Sequence, residues 1–242
     1  MGKYEKYLLT VLHHMYTVGL DKIEGLILYS QLDITKIEKT DNKGKADNKT
    51  SFNSNEIIFG CLLGDGKLEM APRAVNARLG FIQAESQRDY FISVANSLPG
   101  ICSGKYWESS YLDKRTGKTY KSLSFWSKSL PMLNEFYCNF YVDKVKRVPL
   151  DLTLLTPLAL AHWVMQDGSR GRSKGLYICT DSFTHADVQR LTLHLVNRYN
   201  IKCSIHKAGR NYRIYILAKS VETVKNLILP FMHKSMLYKL GV

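Results

Sequence analysis

No run of about 18 apolar residues occurs anywhere in the 242-residue chain, so the sequence offers no membrane-spanning helix and reads as soluble. Cysteine is sparse and scattered. The five cysteines (Cys61, Cys102, Cys138, Cys179, Cys203) are odd in number and never form C-x-x-C, which argues against a disulfide framework and against a zinc module. The first residues carry acids at Glu5, Asp21 and Glu24 and no small-residue cleavage site, so neither a secretory leader nor a transit peptide is expected. Acid is outnumbered: 21 Asp and Glu face 34 Lys and Arg, for a net charge of +13. A polyanion is the natural partner of such a surface. What is present in quantity is apolar residue, 45% of the chain, enough for one large core or two domains of about 100–120 residues.

Residues 3–30 carry Leu8, Leu9, Leu12, Met15 and Tyr16 at helical spacing, and the polar stretch 39–50 has almost nothing to bury. This predicts an N-terminal helical extension and polar linker over residues 1–50. The remainder divides into two halves, 51–150 and 151–242, because one pattern occurs twice. Ile58-Phe59-Gly60-Cys61-Leu62-Leu63-Gly64-Asp65-Gly66 and Leu160-Ala161-His162-Trp163-Val164-Met165-Gln166-Asp167-Gly168 both run an apolar helix into Asp-Gly. Asn53 with Glu56 predicts a capping box for the first helix, and Thr156 with Pro157 predicts the start of the second. Strands are predicted over 78–84, 105–112, 118–127, 175–180, 202–207 and 211–218. Helices are predicted over 87–97, 129–141, 184–199 and 220–231. Matches between residues 81–86 and 177–182, and between 125–129 and 216–220, support a duplicated αββαββα unit in an α+β fold. They pair Gln83 with Cys179.

Basic residues collect in the predicted strands. Six lie between Arg198 and Lys219 with no acid, and six between Lys105 and Lys128 against Glu108 and Asp113. A β-ribbon fits the major groove of DNA, where strand side chains read bases and basic tips meet phosphates. The expected contacts are Lys67, Arg73, Arg78, Lys105, Lys114, Arg115, Lys118, Lys121, Arg170, Arg172, Lys174, Lys207, Arg210 and Arg213.

An acid at the foot of an apolar helix is costly to place unless it is exposed or bound. Two such acids on repeated units predict a shared metal site. Phosphodiester hydrolysis needs an activated water, a stabilised phosphorane and help for the departing 3′-oxygen, and divalent metals held by carboxylates supply these. Asp65 and Asp167 are the expected ligands, with the preceding carbonyls of Gly64 and Gln166. Gly66 and Gly168 are expected to release the chain from the helix in a conformation other residues resist. Mg²⁺ is the expected cofactor, with Mn²⁺ as a substitute and Ca²⁺ binding without cleavage.

These residues resemble the LAGLIDADG homing endonucleases, whose name spells the repeated motif. The closer likeness lies in residues 155–168, in Thr180-Asp-Ser-Phe-Thr184 and in Met236-Leu-Tyr-Lys-Leu240. The resemblance implies a saddle of antiparallel sheets over double-stranded DNA, motif helices at the interface, and Mg²⁺-dependent cutting of both strands by a monomer. It implies that Lys146 and Lys239 organise water at the site and that Gln83 is a polar active-site residue. It also implies an organellar setting, mitochondrial rather than chloroplast. Two alternatives remain: an RNA maturase on the same fold acting on intron RNA, and a DNA-binding protein without catalysis. The halves are unequal, with Gly60 against His162 and Gly64 against Gln166, which predicts asymmetric helix packing and an asymmetric DNA site. His162 is expected at the helix interface rather than on a metal, and Trp163 and Met165 in the core.

Overall fold

The computed structural model describes residues 47–242, with side chains from residue 53. The extension expected over residues 1–50 therefore lies outside the described residues, except for 47–50. Those four open helix α1 (Asp47–Leu63), so the polar linker ends earlier than expected and Asn53 lies within the helix. Glu56 is correspondingly no capping residue. It accepts a hydrogen bond from the hydroxyl of Thr156 on the facing helix.

After α1 come β1 (Lys67–Glu69), β2 (Arg78–Ala84), α2 (Arg88–Asn96), β3 (Trp107–Asp113), β4 (Lys118–Trp126) and α3 (Met132–Phe140). A short hairpin, β5 (Tyr141–Val142) and β6 (Val145–Lys146), leads to the second round. That round is α4 (Pro157–Asp167), β7 (Gly168–Arg170), β8 (Leu176–Ile178), α5 (His185–Tyr199), β9 (Cys203–Ala208), β10 (Asn211–Ile216) and α6 (Ala218–Ile228). The two four-stranded sheets have the same order, β1-β2-β4-β3 and β7-β8-β10-β9, with every pair antiparallel. The duplicated αββαββα unit is thus present in the backbone. Among the described residues no helix is long and apolar enough to cross a membrane.

Alternation gives each sheet two unlike faces. In β4 the buried Leu123 and Phe125 point to the helices, and in β10 Ile214 and Ile216 do the same. The opposite face of the first sheet carries Ile82, Trp107, Tyr111 and Tyr120, all exposed, with Trp126 beneath the cations of Lys67 and Arg78. On the second sheet the same face carries Tyr177, Tyr215 and His206 in mutual ring contact.

Register corrects the match drawn from sequence. Lys67 and Ser169, each two residues after its motif aspartate, pair with Gly80 and Tyr177. Counting three further along each partner strand superposes Gln83 on Thr180, not on Cys179. The residue likeness of 81–86 to 177–182 is real but slipped by one, which reverses the face of every side chain.

The motif helices α1 and α4 pack with unusual closeness, and glycine on α1 makes the room. A Cβ on Gly60 would stand 2.3 Å from the carbonyl oxygen of Ala159 and 2.9 Å from the Cβ of His162. One on Gly64 would stand 2.4 Å from Oε1 of Gln166. Small residues on one helix thus receive large ones on the other, as the unequal motifs predicted. Trp163 and Met165 are fully buried beneath this seam. Gly66 and Gly168 play a different part from the one expected. Neither has a positive φ, and Gly168 is extended at φ −75°. A Cβ there would collide with the last turn of the preceding helix, 2.7 Å from Cys61 O and 2.4 Å from Val164 O. These glycines permit close crossing, not a left-handed turn.

Candidate active site

Each motif helix delivers its aspartate to the end where the outgoing strand crosses it. Asp65 is exposed and Asp167 half-buried. Burial, and then the neighbouring Asp65 charge, pushes the Asp167 carboxyl up to about 7, while the Lys146 and Lys239 ammonium groups act in the opposite direction. The two acids from the two halves therefore share one electrostatic environment.

Both lysines named from sequence reach this place by routes the sequence did not display. Lys146 stands on β6, delivered by a two-residue turn in which Asp143 and Lys144 both have positive φ (49° and 64°). Its Nζ donates to Gly66 O at 2.7 Å and Gly64 O at 3.1 Å. Burial lowers it to about 8, against the pull of Asp167 and Asp65. Lys239 stands on a 3₁₀ segment, Lys234–Leu240, and its Nζ donates to Gln166 O at 2.8 Å. Burial lowers this lysine too, with the same two acids opposing. Gly64 and Gln166 thus offer their carbonyls to ammonium groups rather than standing free for a metal.

Arg170 belongs to this support. Its Nη1 donates to Leu240 O at 3.2 Å, so it clamps the Lys239 segment instead of reaching outward as expected. Lys121 and Lys207 also differ from expectation. Each shares strand parity with the buried residues of its sheet, so each lies on the helix side, Lys121 within 3.6 Å of Glu85. Arg78 and Arg213 lie on the open face but are engaged, Arg78 with Glu69 at 2.8 Å and Arg213 with both oxygens of Asp181. Lys67 and Lys118 lie on that open face; Arg73, Lys105, Lys114, Arg115, Arg172, Lys174 and Arg210 are exposed on the loops and turns around the strands.

Gln83 is brought to the site as expected, its Nε2 donating to Asp65 Oδ2 at 2.6 Å. Its counterpart Thr180 is buried with its hydroxyl donated to Tyr212 O. Among the described residues, no side-chain hydrogen bond holds the Asp167 carboxylate.

Sequence reasoning missed Tyr90. Its hydroxyl, on the apolar face of α2, meets Nε2 of Gln166 at 2.9 Å and Nδ1 of His162 at 3.1 Å. A tyrosine at a helical core position gives no sign that its hydroxyl completes a polar network. The aromatic open faces were missed likewise, because charge counting overlooks Trp and Tyr.

His162 is an interface residue, as expected, and burial pushes it down to about 4. An unfolded histidine titrates near 6.5, so between these values the unfolded chain binds a proton that the folded chain refuses. This contribution to stability is complete above about pH 6.5 and is lost as pH falls toward 4, about 3 kcal/mol in all. Urea unfolding between pH 7 and 4 should show this component in the native protein and lack it in His162→Gln. An unchanged acid dependence in the variant would remove His162 from the account.

No cluster of three or more His, Cys, Asp or Glu that could hold a metal ion occurs among the described residues. Two carboxylates, one exposed and one half-buried, still fit Mg²⁺, which usually binds one or two carboxylates and completes its shell with water and phosphate.

The chain is similar to known proteins. The chain is 33% identical over 191 residues to the "Cytochrome b mRNA maturase bI2" of Debaryomyces hansenii, covering 77% of this chain and 72% of that one. It is 32% identical over 203 residues to the "DNA endonuclease I-ChuI" of Chlamydomonas applanata, covering 77% and 93%. The fold matches the homing endonuclease I-WcaI, solved bound to its DNA recognition sequence, with a TM-score of 0.70 at 22% identity over 85% of this chain and 96% of that one. The sequence profile of the LAGLIDADG DNA endonuclease family runs over residues 55–224, through both motif helices and both sheets. With its paired aspartates, twin sheets and crossed motif helices, this chain belongs to that family.

Proposed function

We propose that the protein is a monomeric, site-specific double-strand DNA endonuclease using Mg²⁺, with one carboxylate from each half. The observation that carries this reading is the pairing of Asp65 and Asp167 beside two lysines that repeat the same contact, each on the carbonyl before an aspartate. A pure binding protein has no reason to place acids where phosphate must lie.

Double-stranded DNA lies along the open faces of the two sheets. A monomeric surface rarely leaves so many large aromatics uncovered without a partner. The exposed cations of the loops and turns would meet phosphates on either side, making binding fall with salt. Asp65 and Asp167 would hold Mg²⁺, which supplies the activated water and the stabilisation of the phosphorane and leaving oxygen. Lys146 and Lys239 order water against the phosphate and offset the charge that develops there. Each hydrolysis forms a P–O bond from water and breaks the bond to the 3′-oxygen, which leaves as a hydroxyl.

The test is incubation with a plasmid carrying the uninterrupted host-gene junction. Linear product with Mg²⁺ or Mn²⁺, and retention without cutting in Ca²⁺, is expected; binding without cleavage at every plausible junction would end the reading. Lys239→Met should slow cutting by about 100-fold while leaving retention of DNA nearly unchanged. Equal losses in both would reduce Lys239 to a phosphate contact.

A second reading, assistance in splicing intron RNA, is favoured by one observation. Arg198, Lys202 and Lys219 are exposed and make no ion pair among the described residues. Tyr199, beside Arg198, donates to Leu155 O at 2.6 Å, ahead of the start of α4. That is the far end of the motif helix from Asp167, on the order of 15 Å away. Arg198 thus stands away from the aspartates, where a structured RNA could use it. Both readings place the protein in an organelle, in keeping with its cytochrome b maturase relative.

A further inference from the structure

We infer that the Gln166 side chain positions Asp65 across the helix interface, and that the two DNA strands are therefore cut unequally, the cut served by Asp65 coming first. This rests on the endonuclease reading.

Gln166 precedes Asp167 in sequence, yet its side chain serves the other aspartate. Oε1 accepts the backbone N–H of Asp65 at 2.8 Å. Nε2 donates to Tyr90 Oη at 2.9 Å and approaches Cys61 Sγ at 3.3 Å. Gln166 is 8% exposed, and both ends of its amide are used, so its orientation is fixed.

The pseudo-twofold partner of Gln166 is Gly64, which has no side chain to return the favour. A Cβ on Gly64 would meet Gln166 Oε1 at 2.4 Å, so a side chain there would displace the Gln166 amide. The two positions compete for one space, and the side chain that fills it is the one that reaches Asp65. Gln83 adds a second hold, on the carboxylate itself. Asp167 has neither, because Gly64 is bare and Thr180 donates to Tyr212 O. Asp65 is therefore held by side chains at both backbone and carboxylate, while Asp167 is held at its backbone by its helix and by the Cys179 N–H on its carbonyl, and at its carboxylate by the two lysine charges alone. A ligand already held in place needs less ordering when the phosphate arrives.

Two measurements test this. In single-turnover cleavage with either strand labelled, one strand should be cut about tenfold faster and nicked circles should accumulate. Gln166→Met should slow the faster strand about tenfold and leave the slower within about twofold, so that the ratio collapses. Tyr90→Phe should act in the same direction more weakly. In the metal-free protein, hydrogen exchange at the Asp65 amide should rise in Gln166→Met and be restored in Gln166→Glu, which keeps an acceptor. Equal slowing of both strands, or unchanged exchange at Asp65, would overturn the inference. If the native protein cuts neither strand at any junction, the endonuclease reading and the strand order fall together, whereas equal cutting of both strands removes the strand order alone.

Discussion

Asp65→Asn and Asp167→Asn are each expected to lower double-strand cleavage by about 1000-fold or more while DNA is retained as well as, or better than, by the native protein. Asparagine keeps the size and one acceptor of aspartate but loses the charge that attracts a divalent cation. Retention should not suffer, because the substitution removes a negative charge facing phosphate. The two variants should differ in one respect. Burial and the Asp65 charge hold the Asp167 carboxyl at about 7, so the folded protein carries an ionised Asp167 at a cost. Asp167→Asn relieves that cost and should raise the thermal midpoint of the metal-free protein at pH 8, whereas Asp65→Asn removes only the neighbouring charge and leaves the burial, and should raise it less. Cleavage assays with gel-shift controls in Ca²⁺ and melting curves in chelator check both halves. Full cleavage by either variant would remove that aspartate from the site.

Gly60→Ala is expected to destabilise the protein by about 2–3 kcal/mol and lower its thermal midpoint by about 5–10 °C. Local preference points the other way, since alanine within a helix is favoured over glycine by about 1 kcal/mol. Packing decides the sign. The new methyl would stand 2.3 Å from a backbone carbonyl on the facing helix, an atom that cannot move unless α1 and α4 separate. Gly64→Ala meets a side chain instead: the Gln166 amide, which can swing away, and the Gln166 Cβ at 2.9 Å, which needs a small shift. That variant should cost less stability and disturb the Asp65 backbone contact more. Melting of the two variants beside the native protein checks the order. A stabilised Gly60→Ala would mean that the helices do not approach as closely as described.

Much of this fold was legible because its strands and helices carry strong periodic patterns. Asn211–Ile216 alternates, and Thr156-Pro157 opens α4 with Thr156 capping Ala159 N as predicted. What escaped was too short or too dependent on distant partners. The strands Lys67–Glu69 and Gly168–Arg170 have three residues each, too few to show alternation. The hairpin that delivers Lys146 turns through Asp143-Lys144, and lysine is not a residue that announces a positive φ. Residue likeness slipped Gln83 onto Cys179, since only hydrogen-bonded register distinguishes neighbouring positions on a strand. Counting charge located the basic segments but not their faces, so Lys121 and Lys207 were assigned to DNA although they point toward the helices. The motif aspartates and both lysines were readable because motif and resemblance converge on them. The Gln166–Tyr90–His162 network was not, because it exists only once two helices far apart in sequence are packed.

The most direct measurement is the anomalous scattering of Mn²⁺ in crystals of the protein bound to its cut DNA. The account predicts manganese between or beside the carboxylates of Asp65 and Asp167, coordinated otherwise by phosphate and water, and absent in Asp65→Asn/Asp167→Asn. Manganese bound elsewhere, or DNA cut with no metal near either aspartate, would contradict it.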